Sequence, residues 1–210
     1  MSQFALGTLI VAVFSYLLGS ISFAIIVSRI YAKDDVRDHG SGNAGMTNIL
    51  RTYGKGPAVF TALGDFCKGL LAVILARVLF GRMNIAFVDA GYIAGLFVIL
   101  GHLFPVYFGF RGGKGVMTAL GIIFIVNPLV FLIIAGIFVP LVFITRIVSL
   151  GSVLGAITFP FVTWGMQVWR GRPALYDSIC AAAIGAIVLI MHRENIKRLL
   201  SGTEHKFGKK

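Results

Sequence analysis

Long apolar stretches separated by short polar segments run along most of this chain. A helix that crosses about 30 Å of hydrocarbon needs roughly 20 apolar residues, so the chain has room for about seven spans. We place them at residues 4–29, 57–80, 85–108, 115–127, 128–145, 148–169 and 174–191. The pattern therefore predicts an all-α polytopic membrane protein that forms a single domain over residues 1–210.

The predicted fourth span is short, and only Asn127 and Pro128 separate it from the fifth. The two segments are therefore either a tight helical hairpin or include a partly re-entrant span that is lined by protein. The N-terminus, MSQFALGTLI, lacks the basic start and cleavage site of a secretory signal, so we expect the first span to be retained.

Composition agrees with a membrane protein, since 58% of the 210 residues are hydrophobic and 13% are charged. Basic residues concentrate in cytoplasmic loops, so their distribution predicts orientation. One side of the predicted spans carries Arg77, Arg82, Arg170 and Arg172. The other side carries Arg29, Lys33, Arg37, Arg51, Lys55, Arg111, Lys114, Arg146, Arg193, Lys197, Arg198, Lys206, Lys209 and Lys210. We expect the N-terminus outside and the C-terminus in the cytoplasm.

The net charge of +11 is explained by this orientation and by attraction to anionic headgroups. Because the charge is scattered over short loops, we predict no nucleic-acid partner. Cys67 and Cys180 lie within apolar spans, so neither a disulfide nor a metal site is predicted.

Two glycine clusters resemble nucleotide-binding motifs but lack the required context. HGSGNAGMTN at 39–48 contains GxGxxG, yet a charged segment precedes it where a dinucleotide fold needs a strand. FGFRGGKGV at 108–116 lacks the first glycine and the Ser or Thr of an ATP-binding loop. Both clusters instead predict anion nests, in which consecutive backbone N–H groups and a nearby cation bind phosphate.

Further polar groups lie at the cytoplasmic ends of the spans. Asp65 and Lys68 are three residues apart on one helix face and can neutralise each other, either as a structural pair or in support of a site. His102 is either a buried hydrogen-bonding residue or a catalyst. The tail at 191–207, MHRENIKRLLSGTEHKF, predicts an amphipathic helix on the headgroups with polar residues clustered at its start.

The chain resembles the acyl-phosphate:glycerol-3-phosphate acyltransferases, small integral-membrane enzymes of bacteria. The resemblance runs nearly end to end through YLLGSISF at 16–23, GSGNAGMTN at 40–48, LGDFCKG at 63–69, GHLFPVYFGFRGGKGV at 101–116, VSLGS at 148–152 and HRENIKRLLSGTEHKF at 192–207. The HxxxxD pair of acyltransferases that use acyl-CoA or acyl carrier protein is absent.

The resemblance implies seven helices in the bacterial cytoplasmic (inner) membrane, with the active site facing the cytoplasm. It implies acyl transfer from acyl phosphate to the 1-hydroxyl of sn-glycerol 3-phosphate, giving lysophosphatidic acid and inorganic phosphate in the first step of phospholipid synthesis. The expected partners are these two substrates and membrane lipid, with no cofactor or metal.

The resemblance also implies the site residues. The catalytic candidates are Ser41, Asn43, Arg51, Lys114, His192 and Asn195. The substrate-binding candidates are Gly40, Gly42, Thr47, Asn48, His102, Gly112, Gly113, Ser149, Arg193 and Glu204.

Acyl phosphate already carries a good leaving group, so orientation and charge stabilisation could suffice for the reaction. The hydroxyl proton passes either to a phosphate oxygen of the donor or to His192 or His102 as general base. The rival class, an anion transporter, predicts polar groups along a path through the membrane, whereas these concentrate on one face. A phosphatidyltransferase fits less well because the paired aspartates for its metal ions are missing.

Overall fold

The structure, a computed structural model, describes residues 2–207, and every regular element among them is helical. Lys209 and Lys210, which we counted among the cytoplasmic basic residues, lie outside the described residues. The chain divides into two compact units, the first ending at Val126 and the second beginning at Asn127. The single-domain assignment stays a prediction.

The first unit contains six α-helices and two short 3₁₀ turns, Val36–Asp38 and Val106–Phe108. The helices are α1 (Gln3–Gly19), α2 (Phe23–Ala32), α3 (Met46–Tyr53), α4 (Lys55–Arg82), α5 (Ala90–Leu103) and α6 (Val116–Val126). The second unit contains α7 (Pro128–Thr145), α8 (Val148–Trp169), α9 (Leu175–Met191) and α10 (Arg193–Leu200).

Glycines at the helix contacts of the first unit allow backbones to approach closely. A Cβ on Gly19 would collide with the Val98 carbonyl, and one on Gly101 would collide with the Tyr16 carbonyl, where α1 packs along α5. Gly121 makes the same kind of approach where α6 packs along α4. Small residues at such contacts are typical of membrane helices.

Five segments of the described chain are long and apolar enough to cross a membrane, and α9 with α10 makes six if that pair, bent by 66°, is one span. The class of all-α polytopic membrane protein is therefore confirmed. The remaining predicted segment contains α6, whose 11 residues rise about 16 Å, roughly half of the hydrocarbon thickness. The orientation of the termini stays a prediction.

The first predicted span, residues 4–29, is a broken helix and not a continuous one. Helix α1 ends at Gly19, and helix α2 begins at Phe23. The Ile21 carbonyl at this break accepts a hydrogen bond from the Lys68 ammonium at 2.8 Å. Non-helical backbone at membrane depth needs such protein partners, which explains why a buried lysine faces the break.

Candidate active site

The first glycine loop, residues 39–45, leads directly into α3. Gly40 and Gly42 have φ angles of +57° and +67°, in the left-handed region that glycine adopts readily. The Gly42 amide donates to the His39 carbonyl at 2.9 Å. The loop is therefore a compact turn that ends where Met46 begins a helix.

Asn48, on the first turn of α3, holds this loop in shape. Its side chain is 1% exposed, and its Oδ1 accepts from the Ser41 amide at 3.0 Å. Its Nδ2 donates to the carbonyls of Val36, His39 and Asn43 at 3.0, 2.9 and 3.1 Å. The Asn48 side chain is thus hydrogen-bonded to the loop backbone. This supports a role in positioning the loop for a residue that the sequence predicted to bind substrate.

Arg37 connects the segment before the first loop to the turn before the second. Its Nη1 donates to the Phe108 carbonyl at 2.7 Å and to the Arg111 carbonyl at 3.2 Å. Its Nε and Nη2 donate to the two Asp35 carboxylate oxygens at 2.9 and 2.8 Å. These side-chain hydrogen bonds outweigh partial burial and lower the pKa of Asp35 to about 2.

The second glycine loop, residues 109–115, packs back onto the end of α5. The Gly112 amide donates to the Leu103 carbonyl at 3.0 Å, and the Gly113 amide donates to the His102 carbonyl at 3.1 Å. The predicted anion nest is therefore wrong at these two glycines, because both N–H groups are used by backbone carbonyls. Glycine is needed instead for close approach, since a Cβ on Gly113 would collide with the His102 ring.

The two loops meet where the Ala44 amide donates to the Gly112 carbonyl at 3.4 Å, a contact that we call the seam. Each loop continues into a helix, with α3 beginning at Met46 and α6 beginning at Val116. The first amides of a helix have no intrahelical partners, and the helix dipole favours an anion beside them. The starts of α3 and α6 are therefore backbone donors suited to phosphate, whereas the amides of Gly42, Gly45, Gly112 and Gly113 are used by backbone carbonyls.

Accessible polar residues lie in the two chain segments that meet at the seam. Lys114 lies two residues before the start of α6 and is half-buried, while Arg51 lies one turn beyond Thr47 on α3 and is exposed. Ser41 is exposed and Asn43 is half-buried in the first loop. These groups give the seam cations and hydrogen-bond donors, which are the groups that bind phosphate. Among residues 2–207, no cluster of three or more His, Cys, Asp or Glu side chains is arranged to hold a metal ion.

A buried polar network lies behind the second loop. Lys68 Nζ is 2.8 Å from Asp65 Oδ1, which confirms the predicted pair, and 2.9 Å from His102 Nδ1. His102 is 4% exposed, and its Nδ1 is 3.5 Å from the same Asp65 oxygen. The network links α4, α5 and the second loop, because the His102 carbonyl also accepts from Gly113.

In the second unit, His192 lies at the bend between α9 and α10 and is 3% exposed. Its Nδ1 is 2.8 Å from the Val188 carbonyl of the preceding turn. A carbonyl only accepts hydrogen bonds, so Nδ1 carries a proton and Nε2 holds the lone pair of the neutral ring. The ring is therefore in the tautomer that a general base acting through Nε2 requires.

The tail of the second unit folds back onto α10 through Glu204. Asn195 Nδ2 donates to one Glu204 oxygen at 3.1 Å, and Arg198 Nε donates to the other at 3.0 Å. Arg193 is exposed, with its Nε 3.8 Å from Glu194. Glu204 thus orients the Asn195 amide.

Ser149, on the first turn of α8 in the second unit, is 8% exposed. Its hydroxyl has no hydrogen-bond partner among the described residues. The hydroxyls of Ser15, Ser22 and Thr118 are in the same state, so this feature does not distinguish Ser149 as a site residue.

The sequence analysis missed Arg37 and Asp35, which it treated only as part of a charged segment. Their alternation in DDVRD brings guanidinium and carboxylate together across a single 3₁₀ turn, so an Asp-x-Arg pattern was the available signal. Nothing in the sequence indicated that Arg37 would also donate to carbonyls more than 70 residues away.

The fold and the candidate site define a class of protein. It is a polytopic helical membrane protein in which two helix N-termini follow the loops that meet at the seam, with cationic residues in the same segments. The family model described as glycerol-3-phosphate acyltransferase matches residues 9–202. The glycerol-3-phosphate acyltransferase of Clostridioides difficile is 45% identical over 202 residues, which cover 96% of either chain. That of Neisseria meningitidis serogroup C is 43% identical over 197 residues, covering 93% of this chain and 95% of that one.

Solved structures agree. Two crystal structures of PlsY (YgiH), an integral membrane glycerol 3-phosphate acyltransferase, match with TM-scores of 0.83 and 0.81 at 39% and 38% identity. Both matches cover 96% of this chain and 96% and 95% of the respective solved chains, in a glycerol 3-phosphate form and a lysophosphatidic acid form. The chain belongs to the glycerol-3-phosphate acyltransferase family, which confirms the resemblance stated from its motifs.

Proposed function

We propose that this protein transfers a fatty acyl group from acyl phosphate to the 1-hydroxyl of sn-glycerol 3-phosphate, releasing lysophosphatidic acid and inorganic phosphate as the first step of phospholipid synthesis. The observation that carries the proposal is the seam, where two glycine loops hydrogen-bond to each other and each leads into a helix N-terminus. Lys114, in the second glycine loop, and Arg51, on the helix that follows the first loop, supply positive charge in the two segments. Such groups suit a reaction in which phosphate groups must be held and oriented.

The chemistry needs no protein nucleophile. The 1-hydroxyl oxygen attacks the acyl carbonyl carbon, the bond from that carbon to the phosphate oxygen breaks, and phosphate leaves. We infer that a phosphate oxygen of the donor accepts the hydroxyl proton, with Ser41 and Asn43 orienting the groups. In the second unit, His192 and Asn195 stay catalytic candidates on the strength of the resemblance, and Ser149, Arg193 and Glu204 stay substrate-binding candidates.

His192 is the competing general base, since its neutral ring keeps a lone pair on Nε2. Replacing it by Gln separates the two hypotheses. If the donor phosphate takes the proton, His192→Gln keeps turnover within about 10-fold of the parent, because general-base catalysis usually contributes about 100-fold or more. A loss of several orders of magnitude in kcat with unchanged substrate binding would contradict the substrate-assisted step.

We also propose that the seam faces the cytoplasm at the bacterial inner membrane. The basic residues that follow the positive-inside rule include Lys33 and Arg51, on either side of the first glycine loop in sequence, and Arg111 and Lys114, within the second. A cysteine placed at Arg111, in a background without Cys67 and Cys180, should react with a membrane-impermeant thiol reagent only in inside-out vesicles.

The donor is tested with purified protein in lipid vesicles, radiolabelled glycerol 3-phosphate and either palmitoyl phosphate or palmitoyl-CoA. We expect labelled lysophosphatidic acid and inorganic phosphate in equal amounts from palmitoyl phosphate, without added metal. Product from palmitoyl-CoA alone would overturn the donor assignment. Movement of phosphate across the vesicle without any acyl product would favour the transporter class.

A further inference from the structure

The Lys68 ammonium has three N–H donors, and three acceptors lie within hydrogen-bonding distance of it. Asp65 Oδ1 and the Ile21 carbonyl are each 2.8 Å from Nζ, and His102 Nδ1 is 2.9 Å away. A charged lysine cannot accept a hydrogen bond, so each of these contacts runs from Nζ outward. His102 Nδ1 must therefore present its lone pair to Lys68.

This contact fixes the state of the His102 ring. A neutral imidazole carries one proton, so an accepting Nδ1 leaves that proton on Nε2. Asp65 Oδ1 lies farther from Nδ1, at 3.5 Å, and forms an ion pair with Lys68 Nζ at 2.8 Å. The shorter Lys68 contact is thus the one that decides the tautomer.

The Nε2 side of the ring lies beside the seam. A Cβ built on Gly113 would meet both His102 Nε2 and the Ala44 carbonyl, so the ring edge lies close to both glycine loops. Ala44 donates its own amide to Gly112 at this place. An N–H at Nε2 is therefore positioned where a phosphate bound at the seam would accept it.

We propose that Lys68 is a positioning residue that holds His102 with its proton on Nε2, so that His102 donates a hydrogen bond to a phosphate at the seam and does not act as a base. The substrate half of this inference rests on the proposed function. The tautomer half rests only on the network. Asp65 forms an ion pair with Lys68, and the Ile21 carbonyl accepts a second Lys68 N–H at the break between α1 and α2.

The tautomer is measured on the full-length protein in detergent micelles with nitrogen-15 histidine, using long-range nitrogen–proton correlation spectra at pH 7. The His102→Gln variant, which lacks one set of signals, assigns His102. We expect a protonated Nε2 and an unprotonated Nδ1. A proton on Nδ1, alone or in addition to Nε2, would overturn the proposal whether or not the protein turns over any substrate.

The positioning role is tested by removing the network charges together, as Asp65→Asn with Lys68→Met, so that no unpaired charge stays buried. We expect the fixed tautomer to be lost and the KM for glycerol 3-phosphate to rise about 10-fold, with a smaller change in kcat. Lys55→Met, the same lysine substitution at the exposed start of α4, should change neither. An unchanged tautomer and KM in the double variant would overturn the role of Lys68.

Addition of the substrate supplies an independent readout on the parent protein. Glycerol 3-phosphate should shift the His102 Nε2–H signal, and inorganic phosphate should shift it in the same direction. No shift of that signal at saturating glycerol 3-phosphate, with catalysis intact, would show that His102 does not contact the phosphate while leaving the proposed reaction standing.

Discussion

Asn48→Asp replaces an amide nitrogen by an oxygen of nearly the same size in the first glycine loop. The two N–H groups of Asn48 serve the carbonyls of Val36, His39 and Asn43 at 2.9–3.1 Å. Each buried acceptor that loses its donor costs about 1–3 kcal/mol, so two lost N–H groups cost about 2–6 kcal/mol. That free energy falls on the loop, because all three acceptors lie within residues 36–43.

Hydrogen exchange followed by mass spectrometry measures this effect on the peptide that covers residues 36–48. A cost of about 2 kcal/mol corresponds to roughly 30-fold faster exchange, since about 1.4 kcal/mol is a factor of 10. The matched control is Asn84→Asp, the same charge change in the turn after α4, which should leave this peptide unchanged. Activity of Asn48→Asp should fall together with loop protection.

The opposite pattern would refute the reasoning. If exchange of residues 36–48 in Asn48→Asp matched that of the control, while only the KM for glycerol 3-phosphate rose, Asn48 would act on the substrate. The original sequence prediction of a substrate-binding Asn48 would then stand in place of the positioning role.

Three further predictions concern the framework of the first unit. Gly113→Ala should lower kcat/KM about 100-fold, because the new Cβ would collide with the Ala44 carbonyl and the His102 ring at the seam. The control is Gly56→Ala, which should leave kcat/KM unchanged because nothing lies within 4 Å of the new Cβ. Steady-state assays of both variants check this. The pKa of Asp35 is lowered to about 2 in the folded protein, against 3.8 in the unfolded chain, so the ionised carboxylate stabilises the fold above about pH 4. This stabilisation is lost as the pH falls through about 2. On acidification from pH 5, the free energy of unfolding of the parent should fall by at most about 2 kcal/mol more than that of Asp35→Asn, as measured by thermal unfolding. A decrease of equal size in both proteins would contradict this prediction. Arg77 donates hydrogen bonds to two carbonyls at the end of α6. Arg77→Met should therefore lower the free energy of unfolding by about 2 kcal/mol in thermal unfolding. An equal effect of the control Arg82→Met would contradict a stabilising role of these two hydrogen bonds.

The helices were predictable because apolar runs fix where a chain can cross a membrane. The boundaries at Asn127 and Pro128 and at the start of α8 agree with the predicted spans to within a residue. The break between α1 and α2 was not predicted, because residues 19–22 interrupt hydropathy only weakly. It depends on a carbonyl whose partner, Lys68, is far along the sequence.

The assignment of the site residues stays a prediction, and the hydrogen bonding of the two glycine loops did not follow from the sequence. The pattern of glycines and cations predicted an anion nest around Gly42 and another around Gly113, and it did not predict the helix α3 that follows the first loop. It did not reveal that the amides of Gly112 and Gly113 are used by the end of α5. Such pairing depends on residues brought together by the fold, so sequence spacing alone could not separate an anion nest from a packed turn.

The most direct test of the central claim is the transfer assay with palmitoyl phosphate and radiolabelled glycerol 3-phosphate on the parent protein and on Lys114→Ala. Lys55→Ala, which removes the same charge at the start of α4, is the matched control. The account predicts labelled lysophosphatidic acid from the parent and the control, and about 100-fold less from Lys114→Ala because a cation that stabilises the bound phosphate groups is lost. No product from the parent, or equal product from Lys114→Ala, would contradict it.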